Sequence, residues 1–362
     1  MMEGIDDNWL GRKLKKLFYM EGYSLPELSS GDLIRLDTNE NWNIPADYVK
    51  GLIGKALTSY DPRSYPHGCS AKLADALADL YSIPSKCFIP TNGSDQAIGL
   101  ICETFLESSD SAYIVSPTFS LYRIRSMARN ARVLDVNMNQ DFSLPVDELV
   151  SFTRKCGGVI FICSPNNPTG NLFRERDVLD LLDKTSALVV VDEAYAEFAR
   201  ANLLRYVPEY ENLVVLRTFS KAYGLAGFRL GYVTSNINLT SEIRKVQYPY
   251  PVNGLGVEVA LLLLKEIEKT RVWIEKVRIE RSWLIEQLAG LKGVRVLNSE
   301  ANFLLASLPR ESNLVVRRLV EKGIKIKQVG DVLGLRHCVR ITVGNHEMNE
   351  MLMKYIREVL VE

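Results

Sequence analysis

The stretch LVVLRTFSKAYGLAGFRLGY, residues 213–232, is the most informative part of the sequence. It begins with an apolar run typical of a buried strand, and Lys221 follows shortly after that run ends. A lysine in such a place often just extends its amine to solvent. It can also be a partly desolvated amine that condenses with an aldehyde, because burial and nearby cations make an amine easier to deprotonate. The rest of the chain decides between these two interpretations.

Short apolar runs alternate with helical patterns on both sides of this stretch. The runs 158–163 and 187–192 predict buried strands, while 71–81 and 121–130 carry apolar residues at helical spacing. This alternation predicts an α/β fold, in which a large domain has a mostly parallel sheet with helices on both faces.

The sequence beyond residue 247 has a different pattern. A break rich in Pro and Tyr at 248–251 precedes a long helical pattern over 255–291. Strands separated by helices follow, near 294–297, 302–306 and 339–343, which predicts a smaller α+β domain. The predicted divisions are an N-terminal arm, 1–44, that packs with the small domain; a large domain, 45–247; and the small domain, 248–362.

Composition and charge argue against several classes of protein. Lys and Arg number 44 and Asp and Glu number 44, so the net charge is zero, unlike a nucleic-acid-binding or polybasic membrane surface. The apolar runs are shorter than the ~20 residues of a membrane span, and the N-terminus lacks an apolar signal segment, so we expect a cytoplasmic protein. The six cysteines form no CxxC pair, and the three histidines have no ligand spacing, so we expect reduced thiols and no metal.

Polar residues follow four of the predicted strands, at 92–95, 164–168, 192–195 and 218–221. In a parallel α/β sheet the carboxyl ends of the strands share one edge, where ligands bind. Beside Lys221, such a cluster suits pyridoxal phosphate, which needs an acid at its ring nitrogen, a donor near its phenolate oxygen and a phosphate site. The candidates are Asp192 for the nitrogen and Tyr195 and Asn167 for the oxygen.

The phosphate site predicted for this cofactor is the start of a helix. Gly93, Ser94 and Asp95 open that helix, whose free N–H groups attract an anion, although the same trio is also a common helix cap. Ser220 and Arg229 would add a hydroxyl and a fixed charge. Phe119 is a candidate to stack on the ring, with an ordinary core aromatic as the alternative.

Taken together, these motifs resemble those of a known family. NGSD at 92–95, SPNNPTG at 164–170, DEAY at 192–195 and RTFSKAYGLAGFRLG at 217–231 are similar in order and spacing to the fold-type I, pyridoxal-phosphate-dependent aminotransferases. Further blocks resemble the histidinol-phosphate aminotransferases: LDTNEN at 36–41, SYP at 64–66, ANF at 301–303 and VRITVG at 339–344. The resemblance covers roughly residues 30 to 360.

The resemblance implies a role for each matched residue. Lys221 would carry the cofactor as a Schiff base and move the α-proton, while Asp192 would hold the ring nitrogen. Arg340 would grip the α-carboxylate of the amino-acid or oxo-acid partner. The residues implied around the cofactor phosphate are Ser94, Asp95, Thr218, Ser220, Arg229 and, from a neighbouring subunit of a homodimer, Tyr65. The residues implied around the substrate are Arg340, Asn39, Lys327 and Tyr19, the last two for its phosphate.

The implied reaction is transamination of histidinol phosphate, an amino-alcohol phosphate, with 2-oxoglutarate, which gives imidazole-acetol phosphate and glutamate. The sequence departs from the family pattern at Trp42–Pro45, at Ser64, at Phe119, where a tyrosine is usual, and at Lys327, where an arginine is usual. The alternatives are an aminotransferase for aromatic or other amino acids and a threonine-phosphate decarboxylase. A cofactor-binding regulator lacks room for a DNA-binding segment in the first 30 residues, and the glycines after Lys221 do not form the dinucleotide motif.

Overall fold

The computed structural model describes residues 10, 20, 22–23, 33–154 and 157–361. Within these ranges the chain forms two β-sheets, one of seven strands and one of five, with helices packed around them. None of the helices described is both long and apolar enough to cross a membrane.

The seven-stranded sheet is built from the short apolar runs of the sequence. Its strands are β2 (Phe88–Thr91), β3 (Ser111–Ser116), β4 (Arg132–Asn137), β5 (Val159–Cys163), β6 (Leu188–Asp192), β7 (Leu213–Thr218) and β8 (Gly231–Ser235). Their order across the sheet is β2-β8-β7-β6-β5-β3-β4, and β8 alone runs antiparallel to its neighbours. Both faces are buried: Val190 and Val214 belong to one apolar core, and Val189, Val191 and Val215 to the other. The continuous apolar character of these strands follows from this double burial.

Helices cover this sheet and connect its strands. They are α1 (Ala46–Leu57), α2 (Cys69–Tyr81), α3 (Gly93–Phe105), α4 (Leu121–Ala128), α5 (Val146–Thr153), α6 (Glu175–Lys184), α7 (Ala196–Ala199) and α8 (Ile237–Lys245). The parallel strands β3, β5, β6 and β7 end at the same edge, so the polar residues that follow them are brought together there.

The second sheet combines the C-terminal part of the chain with one short N-terminal strand. Its strands are β1 (Ile34–Leu36), β9 (Arg295–Val296), β10 (Phe303–Ser307), β11 (Ile324–Val332) and β12 (Leu335–Thr342), in the order β1-β11-β12-β10-β9. The helices of this part are α9 (Gly254–Lys265), α10 (Ile267–Ala289), α11 (Ser312–Glu321) and α12 (His346–Val361). Strand β1 pairs in parallel with β11, so the segment before α1 is attached to this sheet.

The prediction of one long helix over 255–291 is wrong. The helical pattern is broken at Glu266, whose backbone has φ −113° and ψ 31°, into α9 and α10. The two helices pack against different neighbours: α9 lies against α1 and α2, while α10 lies against α7, α12, β9 and β10. The break lets each helix bury its apolar residues against its own partners. The three predicted domain divisions stay predictions.

Candidate active site

Lys221 lies three residues beyond the end of β7, at the edge where the parallel strands end. Its Nζ donates a hydrogen bond to the carbonyl oxygen of Thr38 at 2.8 Å and lies 6.0 Å from the ring centroid of Tyr195. Burial, followed by the positive charge of Arg340, lowers the pKa of the Lys221 amine to about 8. The amine is therefore neutral in a larger fraction of molecules near neutral pH than that of an ordinary lysine.

Asp192 is the last residue of β6, and its side chain is held by two neutral donors. The hydroxyl of Tyr122 donates to Oδ2 at 2.8 Å, and the backbone N–H of Ala194 donates to Oδ1 at 3.1 Å. The residue is only 3% exposed, and this burial raises the pKa of the carboxyl to about 6, against the opposing effect of the two hydrogen bonds. A buried carboxylate whose donors are neutral suits a cationic ligand such as a protonated ring nitrogen.

Tyr195 and Asn167 are each held by a hydrogen bond from a neighbouring side chain. The hydroxyl oxygen of Tyr195 accepts a hydrogen bond from Nδ2 of Asn39 at 3.1 Å, and burial raises the pKa of that hydroxyl. Oδ1 of Asn167 accepts from Nη1 of Arg340 at 2.6 Å, which leaves the amide N–H groups of Asn167 as its remaining donors. Both residues can therefore donate to a ring oxygen placed between them.

The predicted phosphate site is formed by the start of α3 and the end of the loop after Lys221. The guanidinium of Arg229 pairs with the carboxylate of Asp95 at 2.7 Å, and both side chains are about half exposed. A Cβ atom at Gly93 would lie 2.9 Å from Nη2 of Arg229, and one at Gly231 would lie 2.7 Å from the backbone nitrogen of Ser94. Glycine at both positions thus lets Arg229 and the helix start approach each other.

Thr218 and Ser220 lie beside this helix start. The Thr218 hydroxyl accepts from the backbone N–H of Ser220 and donates to the carbonyl of Leu230, both at 3.1 Å. Nη1 of Arg229 lies 3.5 Å from Oγ of Ser220. Ser94, Asp95, Thr218, Ser220 and Arg229 therefore lie close together, and the Thr218 hydroxyl is already hydrogen-bonded to the backbone.

Arg340, on β12, reaches across to the edge of the seven-stranded sheet. Besides its bond to Asn167, it donates from Nη2 to the carbonyl of Asp37 at 2.5 Å. Its Nε is buried and, within the part of the chain that the structure describes, has no hydrogen-bond partner. Lys327 lies directly opposite Arg340 in the β11–β12 ladder and is exposed, so the two cations share one face of that sheet.

Phe119 packs against another aromatic residue of the site, whereas Tyr65 is exposed at the surface. Phe119 lies after β3, and its ring centroid is 5.7 Å from that of Tyr122, whose hydroxyl donates to the Asp192 carboxylate. Tyr65, in the loop between α1 and α2, is 70% exposed, and its described ring contacts are with His67 and Tyr250. Tyr19, expected near the substrate, lies outside the described residues.

Tyr122 and Thr342 are among the residues of this site that sequence reasoning missed. Tyr122 lies three residues after Phe119 at the start of a helix, a spacing that puts both side chains on one side. Thr342 lies two residues after Arg340 on β12 and so shares its face of the strand. Periodicity applied outward from Phe119 and Arg340 contains the signal for both.

Comparison with known proteins identifies the family of this chain. The family model for aminotransferase class I and II matches residues 31–356. A histidinol-phosphate aminotransferase from Caldanaerobacter subterraneus subsp. tengcongensis is 36% identical over 329 residues, which cover 90% of this chain and 93% of that protein.

Two solved structures share the fold. One is histidinol-phosphate aminotransferase from Sinorhizobium meliloti in complex with pyridoxal-5'-phosphate, with a TM-score of 0.85, 24% identity and coverage of 93% of this chain and 96% of that one. The other is L-threonine-O-3-phosphate decarboxylase from Porphyromonas gingivalis, with a TM-score of 0.80, 24% identity and coverage of 91% and 100%. The fold is thus common to enzymes with different reactions.

The fold and the arrangement of the site define a fold-type I enzyme that uses pyridoxal phosphate. The residues fit that cofactor: an amine with a lowered pKa, a buried carboxylate with neutral donors, and glycines that open the start of α3. The chain belongs to the class I and II aminotransferase family. The predicted fold class, aminotransferase activity and cofactor are confirmed, while the roles of individual residues stay predictions.

Proposed function

We propose that this aminotransferase moves the amino group of histidinol phosphate to 2-oxoglutarate and produces imidazole-acetol phosphate and glutamate. The relative that is 36% identical over most of both chains carries that activity in its name. The observation that carries the proposal is the pair of cations on one face of the smaller sheet. Arg340 has a buried donor without a described partner, and the exposed Lys327 lies beside it.

The two cations suit the two anionic groups that the reaction presents. The planar guanidinium of Arg340 fits the α-carboxylate of glutamate or 2-oxoglutarate, and its free Nε would gain a partner there. The ammonium of Lys327 fits the phosphate of histidinol phosphate as a point charge. Tyr19 is the proposed second contact to that phosphate, and Asn39 lies beside the substrate.

Lys221 is the proposed base and acid at the substrate's Cα. When bound, pyridoxal phosphate supplies an aldehyde that condenses with amines and a ring that withdraws electrons from Cα. With a pKa of about 8, the Lys221 amine is neutral in a usable fraction of molecules near neutral pH, so it can accept the α-proton and return it.

The other polar residues hold the cofactor in place. Asp192 would bind the protonated ring nitrogen, and Tyr195 and Asn167 would donate to the ring oxygen. Phe119 would stack on the ring, which its contact with Tyr122, the donor to Asp192, supports. The phosphate would be bound by the start of α3 and by its neighbours Ser94, Asp95, Thr218, Ser220 and Arg229.

The active unit is proposed to be a homodimer in which Tyr65 completes the phosphate site of the partner subunit. The exposure of Tyr65, 70%, supports this, because the side chain is free to enter a second copy. The proposed location is the cytoplasm. The five described cysteines are free thiols, as in proteins from a reducing compartment.

The test is a single half-reaction. The visible spectrum of the purified, cofactor-loaded protein is recorded before and after addition of histidinol phosphate, with no oxo acid present. We expect the band of the lysine-bound cofactor to disappear and its amino form to accumulate, and 2-oxoglutarate to restore the band. A Lys221→Ala variant, which lacks the amine, should show neither change.

Two other results would redirect the proposal. An unchanged band with histidinol phosphate, together with conversion by an aromatic amino acid, would make this an aminotransferase of other substrates. Release of CO₂ from threonine phosphate would make it a decarboxylase. Both outcomes would contradict the proposed substrate, and both would be consistent with the proposed cofactor site.

A further inference from the structure

Asn39 and Thr342 form a two-bond clasp between the N-terminal segment and β12. The backbone N–H of Asn39 donates to Oγ1 of Thr342 at 3.0 Å, and the Thr342 hydroxyl donates back to Oδ1 of Asn39 at 3.2 Å. Asn39 has a left-handed backbone, φ 61°, a conformation that asparagine tolerates better than most residues. Asn302 fixes the same backbone, because its Nδ2 donates to the carbonyl of Asn39 at 2.9 Å.

The clasp fixes which way the side-chain amide of Asn39 points. Its Oδ1 is occupied by the Thr342 hydroxyl, so Nδ2 faces outward, and it donates to the hydroxyl oxygen of Tyr195 at 3.1 Å. All three residues are buried, with exposures of 1%, 0% and 5% for Asn39, Thr342 and Tyr195. In a buried chain of hydrogen bonds, each donor and acceptor constrains the next.

The direction of these bonds determines where the Tyr195 proton goes. An amide NH₂ group can only donate, so Tyr195 must accept from Asn39 and cannot give its proton to that group. The Tyr195 hydroxyl is then left as a donor toward the side of the site that holds Lys221, whose Nζ lies 6.0 Å from the Tyr195 ring. With the amide of Asn39 reversed, Tyr195 would donate to Oδ1 instead and its proton would be lost to the site.

We propose that Thr342 is a positioning residue for the transaminase reaction. It fixes the direction of the hydrogen bonds that link Thr342, Asn39 and Tyr195, so that Tyr195 donates to the cofactor's ring oxygen. This rests on the proposed role of Tyr195 and is independent of the proposed substrate. Threonine suits the position because its branched side chain favours a strand and has a restricted χ1 angle, which helps to hold the hydroxyl in place.

The experiment is a pH titration of the visible band of the cofactor-loaded protein without substrate. A donor to the ring oxygen stabilises the deprotonated form of the bound cofactor, so loss of that donor should raise the pH midpoint of the band. In Thr342→Val, which keeps the shape and removes the hydroxyl, we expect a rise of about one pH unit, the size expected from one hydrogen bond to a charged group. Thr342→Ser, which keeps the hydroxyl, should return close to the wild-type midpoint.

A double variant separates this role from a general disturbance of the fold. Tyr195→Phe alone should raise the midpoint, and Thr342→Val added to it should cause no further change, because both act through one proton. If Thr342→Val does not bind the cofactor, Thr342→Ala replaces it: alanine also removes the hydroxyl that fixes the Asn39 amide, and its smaller side chain fits the space of threonine. An unchanged midpoint in Thr342→Val, or in Thr342→Ala where that variant replaces it, overturns the proposal. So does a shift that adds to that of Tyr195→Phe.

Discussion

At the scale of single residues, the carboxyl of Asp192 makes the cofactor-free protein sensitive to pH. Its pKa is about 6 in the folded chain, compared with the ordinary value of 3.8, because burial disfavours the charge. The folded state therefore binds the proton more tightly than the unfolded state. The tighter proton binding stabilises the folded state by an amount on the order of 3 kcal/mol. This stabilisation is fully present below about pH 4 and is lost as the pH rises through 6.

Asp192→Asn should accordingly stabilise the cofactor-free protein at pH 7.5. Asparagine is never charged, so the cost of a buried charge disappears. It keeps only one of the two acceptor oxygens that Tyr122 and Ala194 use, and the lost hydrogen bond reduces the gain in stability by about 1 kcal/mol. We expect a net gain of about 1–2 kcal/mol at pH 7.5, measured by urea unfolding, and no gain at pH 4. With cofactor bound the order should reverse, because the carboxylate then has a cationic partner. A gain that does not change with pH would contradict the role of burial.

Lys327 should affect the substrate phosphate and leave the carboxylate site alone. In Lys327→Ala we expect the KM for histidinol phosphate to rise about tenfold, which corresponds to the loss of ~1.4 kcal/mol from one exposed charge contact. The KM for 2-oxoglutarate and the activity with unphosphorylated histidinol should stay the same. Lys327→Arg should lower the KM, because a guanidinium can bind phosphate through two hydrogen bonds.

The control for Lys327 is Lys292→Ala, which removes an exposed lysine in the turn after α10. An equal loss of activity with histidinol and with histidinol phosphate in Lys327→Ala would exclude a phosphate contact.

At the scale of elements, the site depends on how closely β8 approaches the start of α3. A Cβ atom at Gly231 would lie 2.7 Å from the backbone of Gly93 and Ser94 and 2.9 Å from the carbonyl of Arg217. Backbone atoms cannot move aside as a flexible side chain can, so Gly231→Ala should cost about 1–3 kcal/mol of stability and weaken cofactor binding. Gly227→Ala is the matched control, because a Cβ atom there meets nothing within 4 Å. Urea unfolding and cofactor titration of both variants test this, and equal behaviour would contradict it.

The elements also show what the sequence could predict. The strands of the large sheet are short, apolar and bounded by turn residues, and β5 and β6 lie within one residue of their predicted limits, 158–163 and 187–192, at each end. The boundary between α9 and α10 could not be found in the same way, since the helical pattern of the sequence runs through Glu266 without Pro or Gly. That break depends on which neighbours each helix meets, and this is tertiary information.

For the site, the strand ends identified Lys221, Asp192 and Tyr195, because a polar residue after a buried strand is conspicuous in the sequence. Tyr122 and Thr342 were not conspicuous. Each lies within a helix or strand where an aromatic or a threonine is ordinary, and its importance comes from a hydrogen bond to a residue far away in the chain: Asp192, 70 residues on, and Asn39, 303 residues back. Contacts of this range are set by the fold as a whole.

At the scale of the whole molecule, segment 37–41 joins the two sheets at the site. Lys221 donates to the carbonyl of Thr38, and Arg340 donates to that of Asp37, so residues from both sheets bind adjacent carbonyls. Nδ2 of Asn41 donates to the carbonyl of Ala222 at 3.0 Å, next to Lys221. A change in the relative position of the sheets would therefore act on Lys221 and Arg340 together.

The proposed dimer makes a prediction at the same scale, because Tyr65 would serve the partner's site and Lys221 its own. Lys221→Ala and Tyr65→Ala chains with different affinity tags are co-expressed, and the mixed dimer is purified through both tags. One of its two sites has both the Lys221 amine and a Tyr65 side chain from the partner, so we expect about half of the wild-type activity per dimer. The parent dimers, each defective at both sites, should have far less. If Tyr65 serves its own chain, both sites of the mixed dimer are defective and its activity will equal the mean of the parents.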